Sequence, residues 1–234
     1  MSTPMREFRR GADGTLVVRI ERRERAVLAE VVEGVVDLLA TRAVAPGVTH
    51  PVDEAGRTLM PGQGVDDPAG NDNADDTAGP RASDDAWPVL QAPEDPALRR
   101  LLPDAALDPD LAAELRRLTE ADLRETTAHQ VGLLQAALVA GTPDVVVAIT
   151  DARFVAAALT DVRLVLGERL GLRDDTDGER LYALAVAADD GAVDDDEATS
   201  RFLAAVYVVL SELQESLVER LVEDLPAPRG AVAP

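Results

Sequence analysis

The sequence predicts a mainly α-helical protein, a helical bundle of about four main helices with a small N-terminal β-hairpin. Hydrophobic residues make up 46% of the chain but aromatic residues only 3%, so the core must consist of Leu, Val and Ala, which favours packed helices over a β-sandwich. Apolar residues also recur at helical spacing over several long segments. The length of 234 residues suffices for a core, and we predict one helical domain over 1–225 and a flexible tail at 226–234.

The N-terminal elements are predicted to be a hairpin followed by a helix. Two extended stretches, 6–10 and 15–20, flank the dipeptide Asp13-Gly14, which is typical of a hairpin turn. From Arg22 to Arg42, apolar residues at helical spacing predict one amphipathic helix. These residues are Val27, Leu28, Val31, Val35, Leu38 and Leu39.

Residues 44–92 are predicted to be an acidic disordered insertion. They are rich in Asp, Gly, Pro and Asn, and such a composition cannot offset the entropy lost on ordering. The insertion holds the only tryptophan, Trp87, close to Val89 and Leu90. These three residues either anchor the segment on the protein's own core or form a short linear motif for a partner.

Two helical segments follow the insertion. Residues 93–105, PEDPALRRLLPDA, predict a short helix between prolines. A long helical pattern then extends from about Asp108 to Val139, and Thr119 with Asp122 resembles an N-terminal capping pair that would kink or restart it. The leucines expected to form its apolar stripe are Leu111, Leu115, Leu118, Leu134 and Leu138.

A short strand and a third long helix are predicted next. The β-branched run Val145–Ile149 is suited to a strand beside the hairpin. Thr150 or Asp151 then caps a helix that runs to about Leu170, where Gly171 ends it.

The C-terminal part is predicted to be an acidic loop at 173–198 followed by a last helix. Within the loop, 181–188 is apolar enough for a short docked helix or strand. The last helix, from about Glu197 to Asp224, carries an apolar face. That face consists of Phe202, Val206, Val209, Leu213, Leu217 and Leu221.

The charge is concentrated in the two acidic segments. The net charge is −21, while 44–95 carries 11 acidic residues against two arginines and 173–199 carries 10 against two. The rest of the chain is therefore close to neutral, which makes nucleic acid an improbable partner. Seven arginines within the first 25 residues leave a small positive patch on the hairpin, which is the basis for an alternative function as a DNA-binding regulator.

The residue types exclude several kinds of chemistry. The chain has no cysteine and no lysine, so thiolate metal sites, cysteine nucleophiles and lysine-dependent catalysis are excluded. Only His50 and His129 could act as histidine bases. We expect no cofactor, no metal and no catalytic activity. The absence of cysteine and of an apolar run of about 20 residues predicts a cytoplasmic protein that does not enter the membrane.

Charged residues inside the apolar helix over 161–172 are the clearest candidate site. Asp161, Arg163 and Arg169 lie there among apolar residues. Gly167 in the same helix suggests that another element packs closely. The acidic residues expected to pair with the arginines are Glu120, Asp122, Glu212 and Glu215. The set forms either an internal ion-pair network or a binding groove. In the network, Asp161 and Arg163 would be buried and paired across helices.

Five motifs together resemble a known family. They are EFRRGADG (7–14), PEDPALRRLLPDA (93–105), ELRRLTEADLR (114–124), DVRLVLGERLG (161–171) and VYVVLSELQESLV (206–218). In this order they resemble an actinobacterial family called domain of unknown function two-thousand-and-seventeen. The resemblance implies a gene near a Clp-protease adaptor and implies no particular activity.

The family's recurring polar residues extend the candidate network. The recurring residues that match here are Arg10, Asp104, Arg117, Glu120, Asp161, Arg163, Arg169, Gln214 and Glu215. All of these except Arg10 and Asp104 make up the candidate network. On these grounds we expect a non-catalytic protein-interaction or adaptor protein with a protein partner. The alternative is a transcriptional regulator that binds DNA through the arginine-rich hairpin.

Overall fold

The computed structural model describes residues 6–42, 90–140, 144–173, 177–186 and 194–223. Most of the predicted insertion, with Trp87 and Val89, lies outside these ranges, and so does the predicted tail at 226–234. The elements in chain order are β1 (Arg9–Arg10), β2 (Thr15–Arg19), α1 (Arg22–Thr41), α2 (Pro96–Leu101), α3 (Pro109–Val139), β3 (Asp144–Ala148), α4 (Ala152–Arg169), α5 (Asp177–Val186) and α6 (Asp195–Glu223). The predicted mainly α-helical fold is confirmed.

The small sheet contains the predicted hairpin and one further strand. Its order is β1-β2-β3 and both pairings are antiparallel. The hairpin turns at Asp13 and Gly14, whose φ angles of 57° and 69° are left-handed and suit Gly and Asp. Gly11 is also required, because a Cβ there would lie 2.5 Å from the Thr15 Oγ1 atom.

Four long helices form the body of the fold. Helix α3 packs against α1 and α4, α4 packs against α6 and the short α2, and α5 packs against α6. The inner face of the sheet joins this core through Leu16 and Val18 of β2 and Val145 and Val147 of β3. All the described residues lie in one compact unit.

Local signals place the helix ends near the predicted positions. The Asp95 carboxylate accepts hydrogen bonds from the backbone N–H groups of Ala97 and Leu98 and so caps α2. Gly171, with a φ of 68°, follows α4. Its N–H bonds to the Glu168 carbonyl while that of Leu172 bonds to Gly167, which is a Schellman motif.

The predicted apolar stripe of α3 is wrong in its first half. Leu111 and Leu118 are exposed. The inward-facing residues of α3 are Ala112, Arg116, Glu120, Thr127, Val131, Leu134 and Leu138. The first half therefore turns a polar face inward, and its leucines point away from the core. The helix also shows no break, because the Thr119 hydroxyl bonds to the Leu115 carbonyl at 2.9 Å and does not act as a cap.

The predicted acidic loop at 173–198 contains helix. Residues 177–186 form α5, whose Leu181 packs with Leu170 and Ala204, and α6 already begins at Asp195. Burial of Leu181 outweighs the local acidic charge and holds α5 against the body. On α6, Val206, Leu213 and Leu217 are buried as predicted, whereas Phe202 is exposed.

Candidate functional site

The most buried polar group in the described residues is an ion pair within α3. Arg116 is 5% exposed and Glu120 is 4% exposed, and the Nη1 and Oε2 atoms of the two side chains are 2.7 Å apart. The residues are four positions apart, so they lie one above the other on the helix face that turns inward. This pair explains why the first half of α3 buries charge where leucines were expected.

Three neighbouring segments supply the remaining partners of this pair. Arg42, the residue after α1, donates from Nε to the Glu120 carboxylate at 2.7 Å. Arg116 donates to the Leu102 carbonyl at 3.2 Å and to the Asp104 carboxylate at 2.5 Å. We call Arg42, Asp104, Arg116 and Glu120 the buried network. It joins the end of α1 and the α2–α3 connection to α3.

The electrostatics of the buried network favour the ionised form of Glu120. Burial acts to raise the pKa of Glu120, but hydrogen bonds from Arg42 and Arg116 outweigh burial and hold that pKa below its usual value. A carboxylate in this state is a weak proton acceptor and accepts hydrogen bonds from both guanidinium groups. The arrangement is suited to holding segments together.

A small cavity adjoins the network. Its volume is about 20 Å³, which is room for about one water molecule and not for a cofactor. The lining residues are Leu102, Pro103, Ala105, Arg116, Thr119, Glu120 and Leu123.

Arg163 lies at the junction of α4 and α6, where the sequence predicted a packed neighbour. Its Nη1 atom donates to the Gln214 Oε1 atom at 2.5 Å and its Nη2 atom to the Tyr207 hydroxyl at 3.1 Å. The guanidinium also lies over the Tyr207 ring, 4.9 Å from its centroid. Gln214 in turn donates to the Thr160 hydroxyl at 2.6 Å. Arg163 therefore bonds directly to Gln214, another member of the predicted set.

The predicted pairing of Asp161 and Arg163 with opposite charges is wrong. In the described part of the chain, Arg163 has neutral partners only, and the Asp161 carboxylate has no hydrogen bond or ion pair. The acidic residues expected on α6 do not reach Arg163, because Glu212 pairs with Arg6 and Glu215 is exposed. Burial raises the pKa of Asp161 to about 6. Gly167 does face Tyr207, but at 3.8 Å from an added Cβ, which is an ordinary contact.

The remaining predicted residues lie apart from one another. Arg169 pairs with the Asp95 carboxylate at 2.6 Å and so links α4 to the start of α2. Arg117 pairs with Glu114 on its own helix at 2.6 Å. Glu215 is exposed on α6 and takes no part in the buried network. Leu90 is half-buried. The seven predicted residues thus belong to several small clusters and do not form a single groove.

Two network residues were missed from the sequence. The arginine that pairs with Glu120 inside α3 is Arg116, whereas Arg117 was the predicted residue. Arg42, at the end of α1, pairs with the same carboxylate. The i,i+4 spacing of Arg116 and Glu120 was the available signal, since Arg117 stands at i+3. The partnership with Arg42 depends on the packing of α1 against α3 and has no local signal.

The arginine-rich N-terminus is partly used within the fold. Arg6 pairs with Glu24 of α1 and with Glu212 of α6, each at 2.5 Å, and Arg25 is buried. These two side chains are therefore not presented to solvent as a basic patch would require.

Comparison with known proteins identifies the family. Fold and site define a mainly α-helical protein whose buried charges link its helices. The model of the family described as Domain of unknown function (DUF2017) matches residues 5–221, and the chain belongs to this family. No curated protein and no solved structure matches the chain.

The described ranges show neither a metal-binding cluster nor a membrane-spanning helix. No group of three or more His, Cys, Asp or Glu residues there is arranged to hold a metal ion. No helix there has both the length and the apolar character that crossing a membrane requires.

Proposed function

We propose that the protein is a non-catalytic interaction or adaptor protein that binds another protein through the outer face of α3. The observation that carries this proposal is a row of leucines that points away from the core. Leu111 is 52% exposed and Leu118 is 49% exposed, and Leu115 between them is half-buried. We call Leu111, Leu115 and Leu118 the leucine stripe.

Helix geometry makes the leucine stripe a continuous surface. Its residues are spaced by four and three positions and so lie on one side of α3. The core-facing residues Ala112, Arg116 and Glu120 lie on another side. An apolar row at this spacing is the typical contact surface for a partner helix. Leu107, just before α3, is also fully exposed.

The candidate catalytic side chains of the described residues support binding more than catalysis. The Glu120 carboxylate is held ionised by two arginines, so it is a poor general base. His129 is exposed and packs edge-on against Phe154, with ring centroids 6.0 Å apart. These contacts serve packing.

Affinity capture of the intact chain from its native cell would test the proposal. The recovered proteins would be identified by quantitative mass spectrometry. The variant Leu111→Glu/Leu118→Glu should lose at least one protein that the parent recovers. Val222→Glu is the matched control, because Val222 is also exposed but lies on α6. All three proteins should unfold at the same temperature, since each change is at the surface. Identical recovered sets for the parent and the double variant would contradict the proposal.

We propose that this partner is a cytoplasmic protein. Tight binding of duplex DNA at physiological salt, lost in Arg9→Ala/Arg10→Ala, would instead support the regulator.

A further inference from the structure

We propose that the occupant of the leucine stripe is a basic amphipathic helix of the partner protein. This inference rests on the proposed function and adds the chemistry of the partner. It follows from the charges that surround the stripe on α3.

Acidic residues continue the row of leucines along the helix. Asp122 is four residues after Leu118 and Glu125 is three residues further, so both lie on the same side of α3 as the stripe. Asp110 directly precedes Leu111 and lies about 100° away from it around the helix, at the edge of the stripe. All three acidic residues are exposed. The outer face of α3 is therefore apolar over its first turns and acidic beyond them, with one more carboxylate at the edge of its N-terminal end.

These three carboxylates have no basic partner in the described ranges. No hydrogen bond or ion pair reaches Asp110, Asp122 or Glu125. Glu114, by contrast, is paired with Arg117. The arginines at 116 and 117 are thus committed to other carboxylates, and the acidic ends of the stripe remain uncompensated.

A helix with an apolar stripe and Lys or Arg at both ends is complementary to this face. Its apolar residues would pack between Leu111, Leu115 and Leu118, and its basic residues would lie against the free carboxylates. Opposite charges at the edge of such a contact set the choice of partner. A second copy of this chain would bring like charges together, which disfavours self-association through this face.

Designed peptides test this inference on the full-length protein. One 20-residue amphipathic peptide would carry a leucine stripe flanked by lysines, and a second would carry the same stripe flanked by glutamates. Fluorescence anisotropy should show binding of the lysine peptide at low salt, weaker binding at high salt, and at least tenfold weaker binding of the glutamate peptide. Leu118→Glu should abolish binding.

Charge variants separate the two parts of the inference. Asp122→Asn/Glu125→Gln should weaken binding of the lysine peptide by about fivefold, as expected for the loss of two surface ion pairs. Glu215→Gln/Glu219→Gln changes the net charge equally at exposed carboxylates of α6 and should leave binding unchanged.

Three results would overturn the inference. Equal binding of both peptides would show that charge does not select the partner, although loss of both with Leu118→Glu would still agree with the proposed function. Absence of binding by either peptide would exclude the basic helix, and the recovery experiment would then decide the proposed function separately. Dimerisation that Leu118→Glu abolishes would identify a second copy of the chain as the occupant.

Discussion

Removing Arg116 should destabilise the protein far more than removing Arg220, an arginine whose ion pair lies at the surface of α6. Arg116→Ala leaves the Glu120 carboxylate buried with Arg42 as its one remaining guanidinium partner, and it also frees the Leu102 carbonyl. Loss of one member of a buried ion pair costs about 3–5 kcal/mol. Because Arg42 stays in place, we expect a loss near the lower end, about 3 kcal/mol in the free energy of unfolding.

Urea unfolding followed by far-UV circular dichroism would measure this difference. Arg220→Ala is the control, since its pair with Glu223 at the end of α6 lies at the surface and such pairs contribute about 0–1 kcal/mol. In thermal melts, a loss of about 3 kcal/mol corresponds to a fall of roughly 6–12 °C for a domain of this size. A loss below about 1 kcal/mol for Arg116→Ala, or equal losses for both variants, would refute the assignment of Arg116 as a structural cation.

Three further predictions follow from the same contacts. Because burial raises the pKa of Asp161 from 3.8 to about 6, protonation favours the folded state, and the free energy of unfolding should fall as the pH rises from about 4 to 7. In urea unfolding at several pH values, Asp161→Asn should flatten this part of the profile and stabilise the protein at pH 7 by about 1–2 kcal/mol, allowing for partial exposure. An unchanged profile would contradict this. Arg163→Ala should cost only about 1–2 kcal/mol in urea unfolding because its partners are neutral, and a loss above about 3 kcal/mol would imply a buried counter-ion. Since the Arg42 side chain bonds to the Gln91 carbonyl, replacing 43–89 by a short Gly-Ser linker should leave the melting temperature within a few degrees of the parent value; aggregation or loss of helical signal would disprove this.

The elements of the fold were predictable because their signals are local. Asp13-Gly14 specified the hairpin turn and Gly171 the end of α4, since each acts on backbone groups within a few residues. Helix periodicity located α1, α3 and α6, but the direction of burial failed for α3. Leu111 and Leu118 have the spacing of a core stripe, and only the packed helices show that Arg116 and Glu120 face inward instead.

The candidate site was predictable in part for the same reason. A polar partner for Arg163 on a neighbouring helix was expected because a charge inside an apolar helix requires one, whereas Gln214 entered the candidate set only through the family resemblance. The identity of the partner, a neutral amide and a phenol in place of a carboxylate, depends on how α4 and α6 pack side by side. The buried network is set in the same way by α1, α3 and the α2–α3 connection, which come together only in the folded chain.

The first described residues and the last helix are joined, and this has a consequence for how the chain folds during synthesis. The Phe8 N–H donates to the Ser216 hydroxyl at 2.7 Å across 208 positions of sequence, and Arg6 bonds to Glu212 nearby. The hairpin is translated well before its anchoring residues on α6, which lie 208 positions later in the chain. The helices between them can form and pair as they emerge, whereas the segment around Phe8 must wait for α6 before it docks. Until then the Phe8 N–H and the Arg6 guanidinium lack these partners, so closure of the fold between its N-terminal segment and α6 is a late step.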